Sequence, residues 1–422
     1  MSLATETTPQ SLPGDDFRPA GIQHGRKNLK LIELNYRRNS ESDYTERLIE
    51  RQRTFDYADD AQTPWLDDEF SLLYGTPLYE QASSAQRLAL NHLYWVCFYN
   101  YSIGGEVSTM VYNQLTCGAL YPLGGYEVVC KELDLETSQE RDHVEAFRRV
   151  AAVSESALLG QPLFLRPVPH YLEAAVIKPQ QGRTWRGLRV LPMAIFAGVM
   201  GYSPFLATQY YILRGIRNIQ LKVKEYQHAR RAQELEQQGE RLPAATAISL
   251  YHYQDEAFHT ATSQAIAKDL YRDFRKPTRL EVFLANEGTR KVQLTLNALS
   301  GAVPGVFSSD DQYIPQIYQL LQSRLFGMSS DEALAMTERC VCQEHEGLHV
   351  AAKYHDRALH DARSYVADME YLYPKNRSLS YMAGPTVAST VQDNVRAFRR
   401  FRRTVETRRR KSGAPVGTAG LA

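Results

Sequence analysis

The chain has 422 residues, 23% of them charged and 43% apolar, and a formal net charge of +1. That is the composition of a soluble globular protein with length for a large core, and its near-neutral charge gives no field for nucleic acid or for acidic substrates in general. The five cysteines (Cys97, Cys117, Cys130, Cys340, Cys342) form no CxxC pair, and no basic-then-apolar leader opens the sequence, so a reduced, cytoplasmic protein is expected.

Residues 1–25 are polar, contain proline and glycine, and are expected to be disordered. A single helical domain is expected over 26–405, with its core at 83–275, accessory helices at 276–405 and a basic flexible tail at 406–422. The first long helix opens at the cap candidates Ser83 and Ser84 and runs without proline to Leu115. "TCGALYPLGGY" is a turn, and a second helix of good helix formers covers 127–159. A proline-rich excursion follows, within "GQPLFLRPVPHY" and "KPQQGRTW". The run Val190 to Leu213 has 24 residues without a charge, but Pro192, Pro204, Gly198 and Gly201 interrupt it. Ser203-Pro204 reads as a cap followed by proline at the first helical position, so a third helix over 204–236 is expected in place of a membrane span. "LEQQGERLP" is a loop, and a fourth helix starts near Ala244. Later helices are broken at "RKPTR", "GAVPGVFSSDDQYIP" and "LYPKNRS". No β-alternating blocks occur, and the class is all-α.

The fourth helix carries "YHYQDEAFH", in which His252, Glu256 and His259 share one helical face. Glu256-Ala-Phe-His259 has a counterpart in Glu140-Arg-Asp-His143 on the second helix. Side chains at i, i+3 can reach one metal, and a helical bundle that binds two metals takes a Glu from each of two helices and a Glu-x-x-His from each of the other two. Glu106 precedes Glu140 by 34 residues, with legs of 16 and 18 residues about Pro122; at ~1.5 Å per residue the two carboxylates return to one level. Glu225 precedes Glu256 by 31 residues, with legs of 15 and 16 about Glu240. Glu106 is the lone ionised side chain between Arg87 and Glu127, and burying it is costly without a partner or a metal. Gly104 and Gly105 beside it weaken the helix where a metal, O2 or substrate would approach. Glu225 stands in "QLKVKEYQHARR", which also reads as a solvated face, and Glu136 reads as part of a charged face. Carboxylates with imidazoles suit iron, with manganese as the alternative.

A third pair, Glu346-Gly-Leu-His349, lies in "CQEHEGLH", where His345 to His349 matches the H-E-x-x-H pattern of zinc peptidases. No glutamate at the matching height supports it as a di-metal site, and a polar late helix is the simpler reading. "NHLYWVCFYNY" is expected in the core. The segment 396–411 holds nine basic residues and one acid, with Phe398, Phe401 and Val405 as a narrow apolar stripe; an acidic carrier protein is one partner it could serve.

Together Glu106, Glu140-x-x-His143, Glu225 and His252-x-x-x-Glu256-x-x-His259 resemble the ferritin-like di-iron N-oxygenases of the p-aminobenzoate oxygenase type, over roughly residues 83–275. The extra histidine at 252 is the most specific element. The resemblance implies a ferritin-like four-helix bundle with a dimetal-carboxylate core, two irons, O2 as co-substrate, an external electron donor, and amine oxidation in natural-product biosynthesis. A related cyanobacterial branch, the dimetal-carboxylate halogenases of the cylindrocyclophane type, chlorinates unactivated carbon of carrier-bound acyl groups. This chain departs from the first group in its length, its proline-rich insert and Gln139, which stands where an Asp usually precedes the first Glu-x-x-His; Asp255 keeps that place in the second. Gln139 and Asp255 are thus candidates for supporting the ligands. Every carboxylate of the set is present, whereas in mononuclear iron halogenases halide replaces a lost one. The expected activity is therefore oxygenation of an amine or C–H bond on a small-molecule or carrier-bound substrate. Halogenation is the alternative, and an H-E-x-x-H zinc hydrolase the alternative of another class. A homodimer is compatible with the sequence.

Overall fold

The computed structural model describes residues 25–164, 195–306 and 309–411. The proline-rich excursion lies mostly outside these, as do the residues before 25 and after 411. Eleven helices matter here: α1 Gly25–Ser40, α2 Tyr44–Arg53, α3 Ser84–Leu120, α4 Glu127–Leu159, α5 Pro204–Gln237, α6 Ala244–Lys268, α7 Arg279–Thr295, α8 Ile314–Gln322, α9 Ser330–Val341, α10 Glu346–Val366 and α11 Val387–Lys411. No strand occurs among the described residues, and the protein is all-α as expected.

Local chemistry sets the helix ends. Ser83 caps α3 through the Gln86 amide while the Gln86 side chain returns to the Ser83 amide, a capping box that satisfies two otherwise orphaned donors. Ser203 accepts from the Leu206 amide, and Pro204 opens α5 as the sequence predicts. α4 stops at Gly160, which takes φ +74° and returns its N–H to the Ser156 carbonyl. No helix among the described residues is long and apolar enough to cross a membrane.

α3 packs along α4 and α5 along α6, while α3 also meets α5 and α4 meets α6. Two apolar clusters fill this assembly. One takes the N-terminal half of α3 and the start of α6 with the C-terminal ends of α4 and α5; Leu93, Phe98, Phe147, Ala232 and Ile248 belong to it. The other takes the opposite ends, including Tyr112, Leu133, Leu213 and Ile266. Cluster membership orients the helices up, down, down, up, so one long crossover joins α4 to α5, consistent with a ferritin-like order. Between the clusters, at mid-height, the same helices bury polar side chains.

The "NHLYWVCFYNY" stretch is core: Tyr94, Trp95 and Tyr99 are fully buried, and Tyr99 stacks on Phe147 with ring centroids 4.4 Å apart. α1 and α2 lie across α4 and α6, while α7 and α10 cover α5. α11 runs to Lys411, with Phe398 and Val405 buried and Phe401 packed edge-on against Tyr318.

Candidate metal centre

Each of the four core helices delivers its residues to the polar layer. α3 supplies Glu106, α4 supplies Glu140 and His143, α5 supplies Glu225, and α6 supplies His252, Glu256 and His259, all buried. Ligand atoms of Glu106, Glu140 and Glu256, from three helices, lie within 4.8 Å of one another. So do those of His143, His252 and Glu256, and those of Glu136, Glu140 and His259. Glu225 stands one step off these sets, with Oε1 3.5 Å from Nδ1 of His252. On its other side, His252 Nε2 is 3.4 Å from Glu106 Oε1.

The imidazoles share an orientation. His143 turns Nδ1 to Glu140 (3.2 Å) and Nε2 to Asp255 (3.2 Å). His259 turns Nδ1 to Glu256 (2.7 Å) and Nε2 to Oε1 of Gln139 (2.9 Å). In each ring one nitrogen faces the carboxylate cluster and the other donates outward, the arrangement that a metal-ligating histidine needs from its supporting acceptor. Asp255 and Gln139 cross over, each serving the histidine of the opposite Glu-x-x-His. Behind them Thr45 donates to Asp255 at 2.7 Å, and Asn39 exchanges amide hydrogen bonds with Gln139.

The charge balance asks for cations. Glu106, Glu132, Glu136, Glu140, Glu225, Asp255 and Glu256 are buried. Their permanent counter-charges are Arg214, which bridges Glu136 and Glu140, and Lys222, 2.6 Å from Glu225 and 3.3 Å from Glu256. Carboxylates in such excess must bind protons or metal ions. Burial and the charges of Glu106 and Glu256 push the Glu140 carboxyl well above its ordinary range. Burial also works against ionising Glu106, but the His252 imidazole outweighs it and draws the carboxyl down to about 2. Burial would lower His259, yet Glu136 and Glu256 raise it to about 9. Protons on Glu140 and His259 thus stand where metal charge would act. Oε1 of Glu225 and Nε2 of His252 are buried without a hydrogen-bond partner, as atoms reserved for another ligand would be. By donor type, charge and orphaned atoms, these residues fit a pair of divalent ions.

One expectation needs correction: Glu136 is 0% exposed and belongs to no charged surface face. Glu225 is 0% exposed as well, so the alternative reading of its stretch as a solvated face falls away. Glu132, Glu136, Glu140 and His143 follow i, i+4, i+8 and i+11 and make one inward polar stripe on α4. α5 is covered by α3, α6, α7 and α10, so Arg214, Lys224 and Glu225 point into protein, while Arg230 and Glu234 nearer its end stay exposed. Arg214 and Lys222 were not foreseen, although both lie on the Glu225 face at i−11 and i−3. Asn39 and Thr45 had no sequence signal, because α1 and α2 reach the site only through tertiary packing.

The H-E-x-x-H alternative does not hold geometrically. His345 is the extended residue before α10, not part of it, and half-exposed His349 meets Glu344 at 3.0 Å. The two imidazoles therefore share no helical face. The basic segment is partly neutralised: Arg402 pairs with Glu338 and Glu406, and Arg409 with Asp331.

A small cavity of about 20 Å³ touches the layer at Glu106, His252 and Glu256. Lys222 lines both this cavity and an open groove of about 510 Å³ between α5 and α10, whose walls include Ile219, Val223, Tyr226 and Tyr354, with Lys353 and Arg357 among its polar residues.

No curated protein and no solved structure matches the chain. A family model described as "Acyl halogenase CylC-like" matches residues 27–190 and 172–402, most of its length and all four helices of the polar layer. This is the halogenase branch of the resemblance noted above, and the chain belongs to the CylC-like acyl halogenase family.

Proposed function

We propose that this protein is a dimetal-carboxylate halogenase that replaces C–H by C–Cl at an unactivated carbon of a carrier-bound acyl chain. The observation that carries the reading is the match to an acyl halogenase family across the helices that bury the carboxylate and imidazole layer. It favours the halogenation alternative over amine oxygenation, which gains no direct support. One metal would be held by Glu106, Glu140 and His143, the other by Glu225, His252, Glu256 and His259. Iron, or manganese, supplies the capacity to reduce O2 and oxidise a strong C–H bond. The electron count closes: forming C–Cl from C–H and chloride releases two electrons and a proton, and an external donor adds two electrons. Together these take O2 to two waters.

The chain's own residues do the rest. Asp255 and Gln139 orient the imidazoles of His143 and His259, Arg214 and Lys222 position the carboxylates of Glu136, Glu140, Glu225 and Glu256, and the apolar clusters above and below keep water from the layer. The groove between α5 and α10 suits an extended acyl chain, with Lys353 and Arg357 for an anionic tether. Purified protein loaded with iron or manganese, given a reductant, O2 and acyl-carrier substrates, should yield a product with the chlorine isotope pattern only when chloride is present. A product that gains oxygen with or without halide would establish the oxygenase reading instead.

A further inference from the structure

Three cations face the cavity of about 20 Å³ beside Glu106: Arg214, Arg217 and Lys222. Arg214 is committed to Glu136 and Glu140, and Lys222 to Glu225 and Glu256. Arg217, nearly one turn beyond Arg214 on α5, is only 9% exposed and forms no hydrogen bond or ion pair with any described residue. Its neighbour Tyr210 is no counter-ion, because burial pushes that hydroxyl up to about 12. A guanidinium offers five N–H donors and cannot lose its charge, so burying one without an acceptor is costly unless an anion arrives. Gly105 leaves it room: a Cβ there would stand 3.4 Å from Nη2 of Arg217.

We propose that Arg217 is a halide-binding residue, holding chloride or bromide in this cavity next to the metal centre; the proposal rests on the halogenase reading. The size argues for a monatomic ion, since ~20 Å³ admits one water-sized particle and no alkyl or carboxylate-bearing segment. Glu106 and Glu256 also line the cavity and repel an anion in the metal-free chain. Metal ions on those carboxylates reverse the local field, so halide binding follows metal loading. The site also explains how a halogenase retains every carboxylate of the set: Arg217 receives the halide without a ligand being given up.

The test compares metal-loaded wild type with Arg217→Gln and Arg217→Lys. Bromide is located by anomalous diffraction, and metal content and the KM values for chloride and for acyl substrate are measured. Bromide is expected beside residue 217 in wild type and absent in R217Q. Metal content should be unchanged, and the chloride KM should rise by roughly 10-fold or more, the loss of one charge-assisted hydrogen bond. R217K, which keeps the charge but not the fork, should fall between and serves if R217Q does not fold. An unchanged chloride KM with bromide retained in R217Q overturns the proposal, as does a rise confined to the acyl KM. If wild type chlorinates nothing, the halogenase reading fails, and bromide lost only in R217Q would then still assign an anion site; bromide absent from a wild type that does chlorinate overturns the Arg217 proposal alone.

Discussion

Oε1 of Gln139 accepts a hydrogen bond from Nε2 of His259 at 2.9 Å. The equivalent nitrogen of His143 meets a carboxylate, Asp255, at 3.2 Å. The two halves of the centre therefore differ in the group behind the imidazole. A carboxylate orients the ring and raises its basicity; an amide only orients it. Asn39 and Thr45 lock the Gln139 amide in the orientation that presents oxygen to His259.

Replacing Gln139 with Leu should weaken one of two metals by ~10–100-fold and leave the other unaffected. Competition with a chelator of known affinity reads this directly. Equal weakening of both metals, or none, would mean that Gln139 does not support a ligand.

His252→Ala should remove one metal equivalent and abolish turnover while helical circular dichroism stays near wild type. The ring sits between Glu106 and Glu225 with a buried, unsatisfied Nε2 and is not a packing element alone. His349→Ala, at an exposed pair with Glu344, should change neither metal content nor activity. The reverse pattern would move the centre to α10.

His92 links α3 to the segment before it: Nδ1 accepts from the Tyr57 hydroxyl and Nε2 donates to the Thr63 carbonyl, both at 2.9 Å. Burial favours the neutral ring and lowers it to about 4. The unfolded imidazole takes a proton near 6.5, so this contribution is complete above that pH and is lost as pH falls toward 4. The loss is ~3 kcal/mol across the window. Urea melts at pH 7.5 and 4.5 should show a steeper decline for wild type than for His92→Gln, and parallel declines would refute the assignment.

Gly305 takes φ +74°, and a Cβ there would run into Cε of the buried Lys224, whose Nζ donates to the Pro304 carbonyl. Gly305→Ala should cost about 2–5 kcal/mol, the left-handed penalty plus overpacking. A thermal melt within two or so degrees of wild type would contradict this packing.

Much that depends on the 3.6-residue period and on chain reversal was legible in the sequence alone, although α3 runs on to Leu120, past the expected end at Leu115. The caps at Ser83 and Ser203, the paired Glu-x-x-His motifs, the shared face of His252, Glu256 and His259, and the height of Glu106 against Glu140 follow from local geometry and leg length. Tertiary structure decided which charged faces turn inward. "KVKE" on α5 looks solvated, but α3, α6, α7 and α10 surround that helix, so Lys224 and Glu225 are buried and Lys222 nearly so. Likewise Glu136 joins Arg214, Asn39 and Thr45 arrive from helices distant in sequence, and His345 falls outside α10. The physical reason is that a periodic pattern states which residues share a face, whereas the neighbours packed against that face determine whether it meets water, an ion or another helix.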